Sequence, residues 1–130
     1  MFAGGAVSWL SRSQKTISLS SCESEYISLA DCVKDVLFLK QVFGFMSPKN
    51  KDKKVVVYED NEGAIQLANN PLSSSRSKHI HVRYHFIRNE IREGNVSVSH
   101  IKSKDQCADV MTKPLPQDVF NGHCRFILGL

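Results

Sequence analysis

The chain has no C-x-x-C pair. Cys22, Cys32, Cys107 and Cys124 are scattered along 130 residues. A zinc ribbon needs two close pairs and is therefore unsupported. Nothing else points to secretion, so reduced, partly buried thiols are expected rather than two disulfides. No run approaches the roughly 18 apolar residues that a membrane span needs. The N-terminal stretch MFAGGAVSWL is apolar but has no basic region before it, which argues against a signal peptide. An intracellular, non-secreted location is expected, with cytoplasm or nucleus left open. Internal repeats and low-complexity segments are also missing. What is present is ordinary globular usage, 42% hydrophobic and 23% charged, enough for one domain with one core. The net charge of +4 is compatible with an anionic partner.

The pattern of elements is mixed. AVSWL (6–10) reads as a short strand, SRSQK as a turn and TISLS as the extended return. Ser20 and Ser21 offer an N-cap, with Glu23 in the first helical turn. Tyr26, Leu29, Ala30, Val33 and Leu37 then recur at helical spacing, and Gly44 is a plausible terminator near Phe43. The charged segment from Ser47 to Lys54 reads as a solvated loop. VVVYE (55–59) is continuous and β-branched, which suits a strand covered on both faces. NEGAIQLANN predicts a short helix closed by Asn70 and Pro71. Ile80, Tyr84, Ile87 and Ile91 predict an amphipathic helix ending before Gly94. VSVSHI (96–101) alternates as a strand should. Asp105 is placed as the cap of a short helix through Lys113, broken by Pro114 and Pro116. The tail from Gln117 to Leu130 reads as a final helix. Helices on a mixed sheet imply an α/β or α+β layer fold.

Three carboxylates stand in settings that can converge. Glu25 lies in SCESEY near the start of the long helix, Asp60 ends VVVYED, and Asp109 lies in QCADVMTKPL. Sites in open α/β sheets gather outside the carboxyl ends of strands. Grouped carboxylates hold hard divalent cations, the layout of a metal-dependent phosphodiesterase. Taken alone, each acid has a plainer reading as a cap or a dipole partner.

The local sequences add to this. AVSWLSRSQKTISLSSCESEYISLA, YEDNEGAIQLANNP with SRSKHIHVRYHFIRNEI, and DQCADVMTKPL resemble, in order and spacing, the acidic motifs of copia-type retrotransposon ribonuclease H. The resemblance covers about residues 4–116. It implies a ribonuclease H-like mixed sheet flanked by helices, with 1–116 a partial domain and 117–130 a C-terminal helical tail. It also implies hydrolysis of the RNA strand of an RNA–DNA hybrid with two Mg²⁺ ions. Residue by residue, it implies catalytic and metal-binding roles for Glu25 (not Glu23), Asp60 and Asp109. The implied partners are the hybrid and a reverse transcriptase domain of the same polyprotein; no membrane is involved.

The family's pattern begins with a strand carrying a first aspartate, in a motif like SDADW. No such motif stands upstream of Glu25. The expectation is therefore a fold lacking the first, central strand and most of the second. Impaired cleavage is also expected, with self-association through unpaired strands. The alternative function is a non-catalytic retroelement remnant with at most weak nucleic-acid binding. A second departure is His81, where the family pattern usually has Asp.

Arg76, Lys78, Arg83 and Arg88, with Arg92, load one segment with positive charge. They read as phosphate-tracking residues or as a solvated face paired with Glu90 and Glu93. His79, His81 and His85 have the H-x-H-x-x-x-H spacing of a zinc site, but no cysteine pair or acid stands near, so solvated or core-edge histidines are preferred. His100 lies near the segment where some ribonuclease H proteins use a mobile histidine. Trp9 is expected as a core anchor rather than a nucleic-acid contact.

Overall fold

The computed structural model describes residues 4–15, 17–50, 52–70 and 78–130. Among them are four α-helices and two strands, a mixed α/β arrangement. The chain divides into two compact units. One is Ile17–His100, and the other is Ile101–Leu130 with the N-terminal residues up to 16.

The first unit is built on α1 (Ser21–Met46). Ser20 caps it, accepting from the Glu23 amide at 3.1 Å, while the Glu23 carboxylate accepts from the Leu19 amide at 2.8 Å. This reciprocal pair satisfies donors that a helix start leaves open. Glu23 therefore has a local structural job. Tyr26, Leu29, Ala30 and Val33 form the buried stripe of α1.

Two strands, β1 (Val55–Glu59) and β2 (Val96–His100), pair in parallel, with Val55 opposite Val96 and Glu59 opposite His100. A parallel pair needs a crossover, which α2 (Glu62–Asn69) and α3 (Lys78–Arg92) supply. Asn61 caps α2 by accepting from the Ala64 amide at 3.0 Å. Gly94, at φ +76°, turns the chain from α3 into β2, a conformation that favours glycine. The core joins the α1 stripe to Val57, Ala64, Ala68, Ile87 and Val96. Lys40 ties α1 to that turn by donating to the Asn95 carbonyl and side-chain oxygens at 3.2 and 3.1 Å.

In the second unit, two 3₁₀ turns, Ser103–Asp105 and Cys107–Met111, precede α4 (Gln117–Leu128). The Ala6 amide donates to the Ile127 carbonyl at 2.8 Å, and the Ser11 hydroxyl to the Met111 carbonyl at 3.2 Å. Gly129, at φ +72°, closes α4, and a Cβ there would stand 2.7 Å from the Gly4 carbonyl oxygen.

Several expectations are corrected. The described residues of AVSWL and TISLS form no strand; a strand exists only with a hydrogen-bonded neighbour, and β1 pairs with β2. Trp9 is 70% exposed and anchors no core. Gly44 does not end α1. It is buried inside the helix, which runs on to Met46 with Ser47 as C-cap. β1 is covered on one face only, since Val56 and Tyr58 are exposed while Val57 and Glu59 are buried. The segment 105–113 forms 3₁₀ turns rather than an α-helix. Asp105 ends the first of them instead of capping a helix.

Candidate metal centre

The site begins where β1 leaves the sheet. Side chains alternate along a strand, so Val57 and Glu59 share the face turned to the core. Asp60 follows directly, and Asn61 starts α2. Glu25 is the fifth residue of α1, next to buried Tyr26. Its position between Cys22 and Leu29 on the helix surface puts it at the edge of the packed stripe. One oxygen from each of Glu25, Glu59 and Asp60 lies within 4.8 Å of the others. No other group of three potential ligands of this kind occurs among the described residues.

Glu59 is 6% exposed, while Glu25 and Asp60 are half-buried. Its Oε1 accepts from the Asn61 amide at 3.0 Å. Burial pushes the Glu59 carboxyl up to about 7, and the charges of Glu25 and Asp60 push the same way. Hydrogen bonds from the Asn61 and Asp60 backbone oppose that rise. Burial is also the main cause raising the Cys22 and Cys32 thiols, with Glu59 adding to both.

Three crowded carboxylates repel one another, which adds to the burial that raises Glu59. A divalent cation relieves that repulsion, and an all-oxygen donor set suits a hard ion such as Mg²⁺ or Mn²⁺. The donor chemistry therefore fits the metal that the acidic motifs imply.

The structure brings Glu25 and Asp60 together. Asp109 lies in the other unit, in the Cys107–Met111 turn, where it pairs with Lys113 at 2.9 Å. Glu59 is not among the acids that the VVVYED motif singles out. The signal for it was strand parity, because Glu59 shares a face with Val55 and Val57.

Among the basic residues, Arg83 is half-exposed on α3. Arg88 donates through Nε and Nη2 to the Leu67 carbonyl at 3.2 and 2.9 Å, fastening α3 to the end of α2. Arg76 and the side chain of Lys78 lie outside the described residues, as do those of His79 and His81. His85 is exposed, as is His100 at the end of β2. The four cysteines are free thiols, and Cys107 Sγ lies 3.3 Å from His123 Nδ1.

The chain is 36% identical over 129 residues to the retrovirus-related Pol polyprotein from transposon TNT 1-94 of Nicotiana tabacum, covering 99% of this chain and 10% of that protein. It is 39% identical over 114 residues to the corresponding polyprotein from transposon RE1 of Arabidopsis thaliana, covering 88% and 8%. The figure for transposon RE2 of the same plant is 38% over 121 residues, covering 93% and 8%. These three relatives are retrovirus-related Pol polyproteins of plant transposons. The chain spans a tenth or less of the length of these polyproteins. No protein-family profile and no solved structure matches it. No helix among the described residues is long and apolar enough to cross a membrane.

Proposed function

We propose that this chain is a ribonuclease H-like segment of a copia-type retrotransposon Pol polyprotein, acting on the RNA strand of RNA–DNA hybrids. The observation that carries this reading is the meeting of Glu25 and Asp60, from α1 and the end of β1, in one oxygen-donor group. They are the two acids named by the ESEY and YEDN motifs, and they occur in a chain similar to Pol polyproteins.

Glu25 and Asp60 would hold Mg²⁺, and the resemblance of its ADVMTK motif implies a metal-binding role for Asp109 as well. When bound, two such ions supply a water nucleophile and charge stabilisation for the leaving 3′ oxygen. The chain's own acids concentrate negative charge at the strand end, which holds cations beside an anionic scissile phosphate. Arg76, Lys78, Arg83 and Arg88 form the basic segment that would follow the hybrid's backbone phosphates. In an intact element, the reverse transcriptase domain of the same polyprotein supplies the hybrid.

A second reading is nucleic-acid binding without cleavage. It is favoured by the basic residues Arg76, Lys78, Arg83 and Arg88, which would contact backbone phosphates whether or not the acids cleave. The deciding experiment is cleavage of a labelled RNA–DNA hybrid in Mg²⁺ and in Mn²⁺, with Asp60→Asn alongside. Cleavage by the parent that is lost in the variant supports the catalytic reading. Hybrid binding by a folded parent without cleavage supports the second. Equal cleavage by both proteins removes Asp60 from the site.

A further inference from the structure

We infer that Glu59 is a positioning residue for the cation site, holding Asp60 in place through the Asn61 amide. This rests on the cation site proposed above. Asp60 sits in a two-residue turn between β1 and α2. On one side, the Glu59 backbone is fixed in the parallel ladder opposite His100. On the other, Asn61 is fixed to α2, its side chain accepting from the Ala64 amide at 3.0 Å and its carbonyl from the Ile65 amide at 3.1 Å. The Glu59 carboxylate closes the loop by accepting from the Asn61 amide at 3.0 Å. A hydrogen-bonded ring thus spans Asp60, with one member buried at 6% exposure.

Glu59 also lies within the donor group, so a ligand role and an orienting role must be separated. Two features favour orienting. One of its oxygens is committed to the Asn61 amide. Its carboxyl lies deeper than those of Glu25 and Asp60, so a hydrated cation arriving from solvent meets those two first. Partners that orient a ligand commonly change metal affinity about 10- to 100-fold when removed.

Two substitutions at one position separate the roles. Glu59→Gln keeps an acceptor for the Asn61 amide and removes the charge. Glu59→Met fills similar space, is suited to burial, and removes the acceptor. The probe is Mn²⁺ alone, titrated calorimetrically into the full chain, with helix content and thermal midpoint recorded for each protein. The expected result is affinity close to the parent in Glu59→Gln and about 10- to 100-fold weaker in folded Glu59→Met. If Glu59→Gln weakens binding as far as Asp60→Asn does, Glu59 acts through its charge and the inference is overturned. That test does not depend on how Glu59→Met folds. Parent-like binding by Glu59→Met also overturns it. Asp60→Asn separates this failure from that of the underlying reading. If Asp60→Asn binds Mn²⁺ like the parent, or if the parent does not bind, the cation site itself is wrong.

Discussion

Replacing Glu59 with Gln should change how stability depends on pH, and the direction follows from burial. In the folded chain the carboxyl titrates at about 7, against an ordinary value of 4.5. The folded state therefore holds the proton more tightly than the unfolded state. The resulting stabilisation is fully present below about pH 4.5 and is lost as pH rises through about 7. The gap between those values corresponds to at most about 3 kcal/mol. Water reaching half-buried Glu25 and Asp60 screens the interaction, so about 1–2 kcal/mol is the working figure. Glu59 is the most buried of the three acids, so replacing it should remove most of the effect. The assay is urea unfolding of parent and Glu59→Gln at intervals from pH 5 to 8, with chelator present to exclude divalent ions. The difference between the two proteins is the quantity of interest, because it cancels every pH effect common to both. The variant should gain on the parent steadily as pH rises. Parallel curves, or a gap that opens the other way, would refute the reasoning.

Two packing predictions accompany it. A Cβ at Gly63 would lie 2.9 Å from Cys22 Sγ and 3.1 Å from Asn61 Oδ1, so Gly63→Ala should cost about 1–3 kcal/mol in urea unfolding. Adding Cys22→Ala should recover part of that loss. Simple additivity of the two substitutions, within about 0.5 kcal/mol, would argue against the contact. Arg88→Met removes both donors to the Leu67 carbonyl, and its expected cost is about 1–3 kcal/mol. Unchanged stability would mean that water replaces the guanidinium there.

Much of the first unit could be read from local chemistry. Ser20 and Glu23 mark the start of α1 by a capping pattern that needs no tertiary information. Gly94 marks the end of α3 because the turn into β2 requires positive φ. Asp60 and Glu25 were legible because their motifs place them at a strand end and near a helix start. The failures came where a neighbour decides the outcome. Gly44 has the identity of a terminator, but it is not among the glycines at positive φ, and packing keeps it inside α1. AVSWL has the composition of a strand, yet composition cannot supply a hydrogen-bonded partner. A β-branched run does not reveal which face is packed, so VVVYE reads as covered on both. That same ambiguity hid Glu59, whose importance comes from sharing a face with Val57. The 3₁₀ turns at 103–105 and 107–111 differ from α-helix only in hydrogen-bond spacing, which short polar sequences specify weakly.

The central claim is that Glu25 and Asp60 hold a divalent cation at the end of β1. It is tested most directly by adding trace Mn²⁺ to the isotopically labelled chain and recording which backbone amide signals broaden. The signals of residues 24–26 and 59–61 should broaden together and first, and recover on chelation. Signals at those positions that stay sharp while the protein remains folded would contradict the claim.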